Sequence, residues 1–368
     1  MALEGELRVA LHLAGAQVVA VALRSTRPDV AQRLLQGRTR AEVMAAVPQI
    51  FSLCGRSQAA ACALACDAAL GLSPTPESLV RSRAAVAAEM VREASWHTLL
   101  QWPRWLGEVP SAQALAAARA STSFDAAGSS ADATQQVAES IAQAVLGMPA
   151  QEWLALDTPT ALAAWAQAGS TASARFVAQL VAQDLAGRGG MSATALLPAQ
   201  GHTQWVVDLA AAAAADPAFA RQPLWRGQPA ESGALARRQH DPLIQALQRS
   251  GASALPARFV ARLQELALLL TRQLAPELGA LTLPDGTGLA WVENARGLLL
   301  HQARLAADRV TAYGIVAPTE WNFHPRGALV QTLMGVAAAD KAALQRHAQC
   351  LIHSLDPCVA CHVEFCDA

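Results

Sequence analysis

Apolar side chains alternate with polar or small ones at both ends of this chain and recur at helical spacing through its middle. Leu7, Val9, Leu11 and Leu13, then Val19, Val21 and Leu23, take every second position on either side of Ala14-Gly15-Ala16, which predicts a β-hairpin. Pro28 suits the first turn of a helix that Gly37 ends. Thr39-Arg40-Ala41-Glu42 has the hydroxyl-to-carboxylate spacing of a capping box, so a second short helix starts there and Pro48 is expected to stop it. From about Ser57 to Gly279 helical periodicity prevails, clearest over 79–100, 134–146, 160–185 and 256–274. Residues 116–132, rich in Ala, Ser, Asp and Gly, read as a surface connection. Strand-like patterns return over 288–291, 297–303 and 310–316. A last helix over 340–354 sets Leu344, Ala348 and Leu351 on one side before Asp356-Pro357 stops it. The pattern predicts an α+β, predominantly helical chain with strands at both ends and no internal repeat.

Composition narrows the class. Of 368 residues, 53% are hydrophobic and 15% charged, which excludes a largely disordered chain. The 28 basic and 29 acidic side chains leave a formal net charge of -1, so no bulk electrostatic case exists for a nucleic-acid partner. Mean hydropathy is +0.22, yet no run approaches the ~18 apolar residues of a membrane span. The candidates over 59–70 and 205–214 are short and carry Asp67 and Asp208. The opening residues lack the basic region and apolar core of a secretory signal, so a cytoplasmic location is expected.

The seven cysteines are loaded at the two ends: Cys54, Cys62 and Cys66, then Cys350, Cys358, Cys361 and Cys366. Clustered thiols without a secretion signal point to metal or thiol chemistry rather than a disulfide framework. Cys358-x-x-Cys361 on a turn has the spacing to chelate one soft or borderline metal; the alternative is a pair of small buried hydrophobes. Cys62 and Cys66 share a helix face and read as core residues or a metal pair. His362 follows Cys361 and is a candidate extra ligand, whereas His301, His324 and His353 read as core or surface residues.

Five blocks in order along the chain resemble the large subunits of nickel-iron hydrogenases, and more closely the truncated, large-subunit-like maturation proteins of the HoxV/HupK type. They are Leu3-Glu4-Gly5-Glu6-Leu7-Arg8; Leu34-Leu35-Gln36-Gly37-Arg38 with Cys54-Gly55; Gly233-Ala234-Leu235-Ala236-Arg237; Glu293-Asn294-Ala295-Arg296-Gly297 with Pro318-Thr319-Glu320-Trp321-Asn322; and Asp356-Pro357-Cys358-Val359-Ala360-Cys361. The resemblance implies one truncated large-subunit-like domain over 1–368, with β-hairpins from the terminal segments around a helical bundle. Its parts would be a hairpin and first cysteine motif in 1–70, a helical middle in 71–280, and strands, helix and tail in 281–368.

In that family four thiolates hold nickel, and the second cysteine of each pair bridges to an iron carrying two cyanides and one carbon monoxide. By the resemblance Cys54, Cys358 and Cys361 match three of the thiols, and Ser57 stands at the fourth. Ala61 and Glu364 replace the histidines of the two motifs, and Gln32 replaces a glutamate that helps to hold a structural magnesium. A serine hydroxyl is a poor substitute for a bridging thiolate. Arg296 matches the arginine over the cyanides, where five N–H donors suit a partly negative nitrogen; the other reading is an ordinary strand arginine. Glu4 matches a proton-relay glutamate or is a solvated strand carboxylate. The chain ends four residues after Glu364, so no clipping of a C-terminal extension is expected.

The expectation from these departures is a protein that does not turn over hydrogen and holds no stable nickel. It would transiently carry the Fe(CN)2(CO) unit, received from the maturation proteins that build it, and pass it to the hydrogenase large-subunit precursor. The alternative is a metal-free chaperone that binds the precursor or the maturation machinery. A third is a degenerate subunit paired with an iron-sulfur small subunit.

Overall fold

The computed structural model describes residues 5–26, 30–125, 130–184, 194–199, 201–216, 218–249 and 254–367. Glu4 and Pro28 therefore lie outside the described residues. The chain divides into two compact units, one of Met1–Ser82, Gly190–Arg237 and Glu277–Ala368, the other of Arg83–Gly189 and Arg238–Pro276.

In the first unit the predicted hairpin is present as β1 (Glu6–Ala14) and β2 (Gln17–Ser25), with Leu7, Val9, Leu11 and Leu13 buried. The short parallel pair β3 (Ala195–Leu196) and β4 (Ala230–Glu231) follows. An antiparallel sheet of β5 (Leu278–Thr282), β6 (Gly288–Asn294), β7 (Gly297–Ala306) and β8 (Arg309–Val316) runs in chain order. The last strand, β9 (Ala360–Asp367), pairs parallel with β1, Glu6 against Ala360 and Leu7 against Cys361. The end of the chain thus lies along its beginning, and Cys361 belongs to a strand rather than a turn.

The helix Gly55–Ala69, which follows the first cysteine, packs on the four-stranded sheet. Its buried residues include Ala60, Ala61, Ala65 and Ala68, small side chains that let the backbones approach closely. A Cβ on Gly288 would fall 1.9 Å from the Ala65 carbonyl oxygen, so only glycine fits there. Thr282 Oγ1 donates to Ala68 O at 2.6 Å, and Arg40 pairs with Asp67. Trp205, Phe219, Trp225 and Trp321 share one apolar cluster with the sheet residues Leu289, Trp291, Leu298, Leu300 and Val316.

The second unit is helical. Trp102, Phe176 and Phe259 meet with ring centroids 4.9 to 5.3 Å apart, and Trp153 stands edge-on to Trp165 at 5.6 Å.

Three local expectations change. The helix Arg40–Ile50 has the Thr39–Glu42 capping box but continues through Pro48, because Phe51 N–H still bonds Val47 O at 3.1 Å and closes the last turn. Residues 112–120 are helical, capped by Ser111, so the connection begins only after Ala120; residues 126–129 lie outside the described residues. The span 160–185 is two helices, Pro159–Ala168 and Ala172–Asp184, with Leu185 outside the described residues. Gly169, at φ +63°, closes the first of them, and Thr171 Oγ1 accepts from Ala174 N–H at the start of the second.

Candidate functional site

Three of the motif blocks converge through one side chain. Asn322, buried at the end of the helix Pro318–Asn322, accepts from Ser232 N–H at 2.8 Å. It donates to Arg296 O at 3.2 Å and to Leu355 O at 3.3 Å. It therefore joins the Gly233 segment, the Arg296 turn and the segment leading to Cys358. Ser232 Oγ accepts from Leu298 N–H at 2.6 Å, and a Cβ on Gly297 would lie 2.3 Å from that oxygen.

Arg296 sits in the tight two-residue turn between β6 and β7, where Asn294 pairs with Gly297. Asn294 Oδ1 accepts from Arg296 N–H at 2.9 Å and from Gly297 N–H at 3.2 Å, and Gly297 at φ +130° supplies a backbone that favours glycine. Behind the turn Glu293 and Arg237 form a buried ion pair at 2.7 Å. The Arg296 side chain is itself buried, its Nε 3.8 Å from Asp356 Oδ1. Asp356 ends the helix Lys341–Ser354 in a left-handed conformation, φ +53°, and directs the chain into Pro357 and Cys358.

Cys358 Sγ lies 3.0 Å from Thr319 Oγ1, whose oxygen also accepts from Cys358 N–H at 3.4 Å. Cys361, on β9, donates to Val359 O at 3.6 Å, and burial together with the neighbouring Cys358 thiol pushes its ionisation up to about 12. Both thiols are half-buried. On the other face of β9 His362 is exposed, 3.4 Å from Glu6 Oε2, and Glu364 is exposed too.

Cys54 precedes the helix Gly55–Ala69 and is half-buried, with Gln58 Nε2 3.5 Å from its sulfur. Ser57 is fully buried in the first turn of that helix. Among the described residues no three His, Cys, Asp or Glu side chains gather closely enough to hold a metal ion, so Cys54 does not complete a three-thiol set with Cys358 and Cys361 here. The arrangement offers two neighbouring soft donors in a tail held to the turn of a buried guanidinium.

His301 and His324 are buried, and burial depresses their ionisation to about 3 and about 4. The sequence reading gave no role to Asn322, Thr319, Asp356 or Gln58. For Gln58 the available signal was its position one helical turn after Cys54.

This layout is that of a nickel-dependent hydrogenase large subunit. The family model described as nickel-dependent hydrogenase matches residues 252–364. The reduced, active Ni-Fe-Se hydrogenase of Desulfomicrobium baculatum superposes with a TM-score of 0.56 at 15% identity over 95% of both chains. An NAD+-reducing nickel-iron hydrogenase does so at 0.53 and 17% over 93% of both. At that identity the likeness establishes the fold.

Curated relatives are closer. The hydrogenase expression/formation protein HoxV of Cupriavidus necator is 34% identical, over 93% of this chain and 92% of its own. HupK of Rhizobium leguminosarum, of the same description, is 31% identical over 99% and 97%. The chain belongs to this HoxV/HupK family of hydrogenase expression/formation proteins.

Proposed function

We propose that this protein is a non-catalytic, cytoplasmic carrier in nickel-iron hydrogenase maturation. Its cargo is an iron unit bearing cyanide and carbon monoxide, taken on Cys358 and Cys361 and passed to the large-subunit precursor. The observation that carries the reading is the fixed relation of the Cys358-x-x-Cys361 tail to the Arg296 turn, made by Asn322 and by the approach of Arg296 to Asp356.

Thiolates suit low-spin iron, and a buried guanidinium offers charged N–H donors to cyanide nitrogens. Two neighbouring thiols hold a metal less firmly than four, which favours transfer. Ser57, buried and without a thiol, leaves the second bridge of a dinuclear centre unsupplied.

The absence, among the described residues, of a gathered set of three ligands favours a second reading, a metal-free adaptor for the precursor or the maturation proteins. Complementation of a strain lacking this protein separates the two. The Cys358→Ala/Cys361→Ala variant, expressed at wild-type level, abolishes hydrogenase maturation if the protein is a carrier. Full maturation with that variant overturns the carrier and leaves the adaptor.

A further inference from the structure

A file of hydrogen-bonded side chains leads from Cys54 into the core of the first unit. Gln58 lies one turn along the helix from Cys54, so its amide returns over the sulfur, with Nε2 at 3.5 Å. Its Oε1 is 2.9 Å from His301 Nε2 on β7, and His301 Nδ1 is 2.6 Å from Tyr313 Oη on β8. Cys62 and Cys66 lie beside Tyr313, close enough for the three groups to shift one another's ionisation. Gln58, His301, Tyr313, Cys62 and Cys66 are all buried.

The chemistry of each group fixes the direction of this file. An amide that turns its nitrogen to the sulfur has only its oxygen left for the imidazole, so His301 carries its proton on Nε2. The bare Nδ1 then accepts from the Tyr313 hydroxyl. Burial keeps His301 neutral, with one donor and one acceptor as this order requires. Every donor points toward Cys54, and successive bonds in such a chain reinforce one another.

We propose that Gln58 is a positioning residue for Cys54, and that His301 and Tyr313 lock its amide so that an N–H, never the carbonyl, meets the sulfur. Cys54 is thereby held as a hydrogen-bond acceptor. The proposal concerns Cys54 itself, apart from the Cys358 and Cys361 pair that takes the cargo, and its test uses no cargo.

Nitrogen-15 NMR of the intact chain reads the His301 tautomer, and mass spectrometry after iodoacetamide treatment at neutral pH reads the labelling rate of Cys54. A hydrogen bond to a charged sulfur shifts its ionisation by about one to two pH units. With a Brønsted coefficient of about 0.5, losing that bond slows labelling roughly three- to tenfold.

The expected results are an Nε2-protonated His301 and a slowing of that size at Cys54 in Gln58→Leu, with Cys358 unchanged in the same sample. Tyr313→Phe, which preserves shape, is expected to release the tautomer lock and to slow Cys54 labelling from two side chains away. An Nδ1-protonated His301 in the unsubstituted protein, or unaltered Cys54 labelling in both variants, overturns the proposal. A carrier shown to hold no iron would sink the functional reading and leave these measurements as they stand.

Discussion

Replacing Asn322 tests most sharply how the motif blocks are held together. Its three hydrogen bonds, at 2.8, 3.2 and 3.3 Å, reach Ser232, Arg296 and Leu355. At a net value of about 1 kcal/mol each, Asn322→Ala destabilises the first unit by about 3 kcal/mol, and by more if the abandoned backbone groups stay dry. Asn322→Asp keeps the shape and the acceptor for Ser232 but sets a carboxylate against two carbonyl oxygens. Burial beside those oxygens raises the folded-state ionisation of the new acid above its unfolded value of about 3.9. The variant's stability is therefore complete below about pH 3.9 and is lost as pH rises through the folded value. Urea unfolding followed by tryptophan fluorescence, with Trp291 and Trp321 as core reporters, measures both effects. Asn322→Ala within about 0.5 kcal/mol of wild type, or an Asn322→Asp deficit that does not change with pH, refutes the reasoning.

Gly288→Ala forces a Cβ onto the Ala65 carbonyl and costs about 3 kcal/mol or the fold itself, while Gly314→Ala, with open space around it, stays near neutral; thermal melts of the pair check this. Arg237→Leu strands Glu293 in the interior and destabilises by about 3–5 kcal/mol, whereas Arg237→Leu/Glu293→Leu recovers much of the loss in the same urea assay. His301, depressed from 6.5 to about 3, contributes stability that is present above pH 6.5 and lost as pH falls toward 3. The slope is about 1.4 kcal/mol per pH unit, and a His301→Gln variant shows a shallower decline.

Much of the fold was legible because its signals are local. The alternation of Leu7 through Leu13 and the Thr39–Glu42 spacing each specify a short element by themselves, and both are present. The break at Gly169 was hidden because the helices on either side share one Ala-rich composition. β9 was obscured by its chemistry. Cys361, Val363 and Phe365 alternate with His362 and Glu364, a strand pattern once cysteine is counted as a small hydrophobe, but the metal motif drew a turn instead. Parallel pairing with β1 was beyond reach, since nothing local couples segments at opposite ends of a chain.

For the site, the resemblance named the blocks but not what joins them. Asn322 and Thr319 act through backbone groups of distant segments, which leave no periodicity in the sequence. By the resemblance Ser57 and Glu364 stand where the family has motif ligands, and the structure adds that Ser57 is fully buried and Glu364 exposed on β9.

Infrared spectroscopy of the protein, purified without oxygen from a host that makes hydrogenase, bears most directly on the carrier claim. A carrier shows cyanide and carbonyl stretches with near-stoichiometric iron, both lost in Cys358→Ala/Cys361→Ala. Protein that arrives at its partners with no such bands and little iron contradicts it.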